Sequence, residues 1–64
     1  MKNIIIVGNV GTVLETDSDQ LARVDYVEWA RIAREESHSR AYGESVTWMR
    51  DGEVYREQME REGA

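Results

Sequence analysis

The most chemically varied stretch of the chain is residues 37–45, SHSRAYGES. His38, Arg40 and Tyr42 place a switchable donor, a planar cationic fork and a stacking ring within five residues of one another. Such a set can hold the phosphate and base of a nucleotide, or anchor a protein interface. The competing reading is a surface connection whose Tyr42 tucks into the core. His38 could also serve as a general base, with Ser37, Ser39 or Ser45 as nucleophile. No glycine pattern of a nucleophile elbow surrounds these serines, and a chain of 64 residues has little room to bury a substrate, so we expect no enzyme. The carboxylates Glu35, Glu36, Glu57, Glu60 and Glu62 lack the spacing of a calcium loop. They read as a solvated face, and we expect neither metal nor cofactor. Gly8-x-x-Gly11 follows an apolar run as a phosphate loop would, yet no Lys-Ser/Thr follows and the next residues look like strand. A bulge or turn is the ordinary explanation.

Those residues must be positioned by a very small framework. Sixty-four residues make one domain near the lower size limit for a single hydrophobic core. There is no cysteine for a disulfide, and one histidine cannot build a structural zinc site. Stabilisation must come from tight packing or self-association, and we expect a homodimer. The net charge of −5 disfavours direct contact with a phosphate backbone and favours a basic partner surface. Absence of cysteine permits a reducing compartment, and the apolar run 4–7 is too short for a signal segment or a membrane span. A cytoplasmic location is expected.

The framework centres on residues 18–36, the one long segment with helical period. At about 100° per residue, Ala22, Tyr26, Trp29 and Ala33 fall in one line, flanked by Leu21, Ile32 and Ala30. Val24 and Val27 fall among arginines on the far side, as incidental surface or as an oligomer contact. Asp17 with Gln20 suggests the helix start. Before the helix, NIIIVGNVGTVLET reads as one long strand with a glycine bulge, or alternatively as a hairpin with a type II′ turn at Gly8-Asn9 pairing Val7 with Val10. We favour the bulged strand. After the helix, ESVTWMRDGEVYRE reads as a hairpin with a type I′ turn at Asp51-Gly52, so that Met49 faces Val54 and Trp48 faces Tyr55. From about residue 58 the charged tail is expected to fray.

A strand, a helix and a hairpin give an α+β fold in β-α-β-β order. The three-stranded antiparallel sheet would be a split β-α-β arrangement, with the last strand slotted between the other two and the helix on one face. An extra N-terminal hairpin at Gly8-Asn9 is the variant. The uncovered face would carry Met49, Val54 and alternate apolar positions of the first strand; Ile5 and Val7 are named, with Val24 and Val27, as oligomer contacts.

The opening NIIIVGNVG is similar to the first strand of bacterial single-stranded-DNA-binding OB-folds, but the chain has neither the strands nor the basic groove for that fold. In layout, the run GNVGTVLETDSD, the helix with Tyr26 and Trp29, then SRAYGESVTW and the Asp51-Gly52-Glu53 hairpin resemble small β-α-β-β proteins of bacteriophages and prophages. Some of these are anti-CRISPR or other anti-defence factors. The resemblance implies a non-enzymatic inhibitor that binds a host defence protein, or a sponge for a nucleotide defence signal. An acidic nucleic-acid mimic is a third possibility. On these readings the partner-binding candidates are His38, Arg40, Tyr42, Met49 and Val54.

Overall fold

The computed structural model describes residues 1–58. It consists of β1 (Asn3–Val7), β2 (Gly11–Thr16), α1 (Asp19–Glu35), β3 (Val46–Arg50) and β4 (Glu53–Gln58). The strands form one antiparallel sheet in the order β2-β1-β3-β4, with α1 packed on one face against β1, β2 and β3.

The N-terminal run is a hairpin rather than a single bulged strand. Val10 N–H donates to the Val7 carbonyl at 3.0 Å, and Gly11 takes φ +100°, a conformation that costs a residue with a Cβ. Gly8 is not among the residues with positive φ, so the turn is not type II′, and Val7 pairs with Gly11 rather than Val10. The Gly8 N–H donates to Ser45 O at 2.9 Å, fastening the turn to the start of β3. A bulge does exist, but further on. Ile5 pairs with Leu14 and Ile6 with Thr12, which leaves Val13 as the extra residue. That irregularity lets consecutive Val13 and Leu14 both pack on the core.

This hairpin changes the sheet order. Because β2 reverses the chain before the helix, α1 returns it to the free edge of β1, and β1 rather than β4 occupies the slot between the strands that the helix connects. The split β-α-β arrangement is therefore made by β2, α1 and β3 around β1. β4 is left at an edge.

The helix begins one residue later than expected. Ser18 is the N-cap, with φ −84° and ψ 112°, and its hydroxyl accepts from Leu21 N–H at 3.1 Å. Residue 21 is a leucine, so no reciprocal capping box forms. Ala22, Ala30 and Ala33 are buried, and their small side chains bring the helix close to Ile5, Val7, Val46 and Trp48 of the sheet. Tyr26, Trp29 and Ile32 pack around this centre, whereas Leu21 faces solvent. Truncating a core side chain as large as Trp48 would cost about 3–5 kcal/mol.

After α1, Gly43 N–H returns to the Ala33 carbonyl at 2.9 Å and Ala41 is buried, so Ala41 rather than Tyr42 plugs the loop into the core. At the β3–β4 turn, Asp51 and Gly52 have φ 52° and 85°, the two positive angles of a type I′ turn. Arg50 pairs with Glu53 and Met49 with Val54, as the turn dictates. A bulge then inserts Tyr55, so Trp48 pairs with Arg56. The Trp48 and Tyr55 rings still meet edge to face, with centroids 4.7 Å apart and planes at 71°. Gln58, expected in the tail, is the last residue of β4; its amide donates to Ala30 O at 3.0 Å. The remainder of the tail, 59–64, lies outside the described residues. Among those described, no helix is long and apolar enough to cross a membrane.

Candidate binding surfaces

The loop that carries His38, Arg40 and Tyr42 runs through a succession of turns, with Ser39 N–H donating to Glu36 O at 2.9 Å and Tyr42 N–H to Ser39 O at 3.1 Å. All three side chains are exposed, and among the described residues none of them makes a hydrogen bond, ion pair or ring contact. No contact joins the three side chains to one another among the described residues.

The face of the sheet away from the helix is defined by the register. Pairing places Ile4, Glu15 and Met49 on one side, and Ile6, Thr12, Thr47 and Glu57 with them, while Met49 pairs with Val54. Ile4, Ile6 and Met49 are half-buried and Val54 is exposed, with no element packed over them among the described residues. Met49 and Val54 thus sit where the sequence pattern put them. Ile5 and Val7 do not: both are 0% exposed, beneath the helix, and cannot meet a second subunit. Alternation along β1 had two possible phases. The one realised buries Asn3, Ile5 and Val7 and turns Ile4 and Ile6 outward. Glu15 on β2 and Glu57 on β4 flank the apolar centre. Lys2 bridges Glu15 at 2.9 Å, and the Thr47 hydroxyl donates to Glu57 at 3.3 Å.

On the helix side, α1 covers β1 to β3 and is tied to β4 at its Gln58 end. Between them is a groove of about 190 Å³ lined by Arg23, Tyr26, Val27, Trp48 and Arg56. Burial of the Tyr26 phenol raises its pKa, with nearby Arg56 working against that rise. Val27, named from the sequence as an oligomer contact, forms part of this wall; Val24 is exposed on the outer side of the helix.

On the far side of Trp48 from the groove lies a polar cluster that sequence reading did not single out. Asn3 is fully buried. Its amide donates to Asp19 at 2.9 Å and to the Thr16 and Met1 carbonyls at 3.3 Å each. Its side-chain oxygen accepts from Trp48 Nε1 at 3.0 Å and Arg50 Nε at 3.3 Å. Arg50 in turn bridges Asp19 at 3.5 Å and lies 4.0 Å over the Tyr55 ring. The one signal available beforehand was that a buried tryptophan wants a partner for its N–H. Saturated by its own members, the cluster ties β1, β3 and the helix start together and presents no open coordination. Among the described residues no group of three or more His, Asp or Glu is placed to hold a metal ion.

No family model matches the chain, and comparison with curated proteins and with solved structures finds no match either.

Proposed function

We propose that this protein is a phage-type interaction protein that works by binding and not by catalysis, blocking a host defence protein through the uncovered face of its sheet. The observation that carries the reading is the apolar surface of Ile4, Ile6, Met49 and Val54, left bare among the described residues, whose single helix packs on the other face of the sheet. Exposed contiguous apolar surface on so small a domain is a sign of a partner. The flanking Glu15 and Glu57 select a partner whose apolar patch is rimmed by basic residues, in keeping with a net charge of −5. The host cytoplasm is the compartment this reading requires.

A second copy of the chain is the other occupant this face could take, as a homodimer. Light scattering on the purified protein separates the two, since a homodimer doubles the mass before any partner is added. The interaction reading expects a stoichiometric host protein to co-purify with the wild type and to be lost with Met49→Lys. Protection of cells against a defence system, without capture of any host protein, would overturn it.

A further inference from the structure

We infer that the groove between α1 and β4 is a binding site for a nucleoside monophosphate, with the phosphate held by Arg23 and Arg56 and the flat ring laid against Tyr26 and Val27. The site is on the helix side of the sheet, so it is independent of the apolar face on the other side.

The charge pattern comes first. Acidic residues outnumber basic ones, 13 to 8, so most cations have an easy partner. Lys2 pairs with Glu15, Arg31 with Glu28 and Glu36, and Arg50 with Asp19. Arg34 reaches Gln58 at 3.0 Å and Glu35 at 3.9 Å. Among the described residues, Arg23, Arg40 and Arg56 have no carboxylate within ion-pair distance. Two of those three line the same groove. The adjacent carboxylate on β4, Glu57, accepts from Thr47 on the opposite face of the sheet, although its charge is still felt at the Tyr26 phenol.

The walls supply the rest. Tyr26 is half-buried, with its ring centroid 5.7 Å from that of Trp48, so the aromatic floor is rigid. Trp48 itself is covered, and Arg56 lies 5.5 Å over the Tyr55 ring, a contact that steadies its guanidinium beside the opening. A space of about 190 Å³ is smaller than the roughly 300 Å³ at which small-molecule pockets begin, so it takes part of a bound mononucleotide and leaves the remainder in solvent. A lone carboxylate would bring one charge to two guanidiniums and leave the Tyr26–Val27 wall bare. A phosphate monoester brings a charge of about −1.5 to −2 and three acceptor oxygens, which two planar forks can share. A molecule that carries both a phosphate and a flat ring fits both halves, and a mononucleotide, with a ribose spanning the two, is the ligand class we assign.

The test is a titration of isotope-labelled protein with AMP, followed by the indole, arginine Nε–H and backbone amide signals. Adenosine, inorganic phosphate and the amide of N-acetyl-O-phosphotyrosine are run as separate arms. Saturable shifts confined to the groove are expected with AMP, and affinity falling about tenfold or more with Arg23→Gln or Arg56→Gln but unchanged with Arg31→Gln. Adenosine and phosphate should each bind about tenfold more weakly than AMP. The proposal is overturned by absence of saturable shifts, by equal binding of phosphate and AMP, by tighter binding of the phosphotyrosine amide, or by indifference to both groove substitutions in variants whose spectra show an intact fold.

Discussion

The indole N–H of Trp48 donates to the side-chain oxygen of Asn3 at 3.0 Å, and both residues are buried. Forty-five positions apart in the chain, they join the strand that begins the fold to the strand that follows the helix. Asn3→Leu would leave the Trp48 N–H without its acceptor and deprive Asp19 of its amide donor. Because an unpaired buried donor such as the Trp48 N–H costs about 1–3 kcal/mol, a loss of that size is expected in urea unfolding. Trp48→Phe in the Asn3→Leu background should cost less than the sum of the two single changes, since it removes the orphaned donor.

The same cluster sets an acid limit on stability. The hydrogen bond from Asn3, helped by the charge of Arg50 and opposed by partial desolvation, holds the Asp19 carboxyl below its ordinary range. A carboxylate with a depressed folded-state pKa contributes stability above its unfolded pKa and loses it as pH falls through the folded value. The wild type should therefore weaken below about pH 4, the unperturbed Asp range. Asp19→Asn should show a shallower acid decline, measured as unfolding midpoint against pH.

Asp25 has the opposite sign. Its Oδ2 is buried without a hydrogen-bond partner among the described residues, and desolvation raises its pKa while the Trp29 indole N–H works against the rise. With the folded-state pKa above the unfolded one, the charged form is penalised at neutral pH, and the penalty fades as pH falls through the folded value towards the unfolded one. Asp25→Asn should raise the thermal midpoint at pH 7, by no more than about 1 kcal/mol in stability, and the gain should shrink on acidification. An unchanged difference across pH would show that charge is not the cause.

Adjacent isoleucines on β1 should behave very differently. Ile5 is in the core, so Ile5→Ala is expected to cost about 2–5 kcal/mol. Ile4 is half-buried on the uncovered face, so Ile4→Ala should cost about 1 kcal/mol or less while weakening any partner that binds there. Chemical denaturation reads the first difference and capture assays the second.

The turn at Asp51-Gly52 provides a local test. Gly52 has φ +85° and open space around the position of a Cβ, so Gly52→Ala meets backbone strain and no clash. A loss of about 1–2 kcal/mol is expected, and Gly52→Asn should recover part of it, because asparagine tolerates the left-handed region.

By itself the sequence determined what local chemistry dictates. The period of residues 18–36 placed Ala22 and Ala33 under the helix and Val24 and Val27 outside it, and Asp51-Gly52 fixed a turn that forces Arg50 opposite Glu53 and Met49 opposite Val54. These depend on backbone angles and on residues a few places apart. Tertiary structure decided the rest. Whether residues 3–16 reverse or run straight depended on Gly8 docking to Ser45, and the phase of β1 on Asn3 finding Trp48, Arg50 and Asp19. Three isoleucines and a valine in a row are apolar in either phase, so only those distant polar partners could choose which side faced the helix. The groove has the same origin: Arg23 and Arg56 are 33 positions apart, and they share a space because the helix and the edge strand meet at Gln58 and leave a gap beside Tyr26.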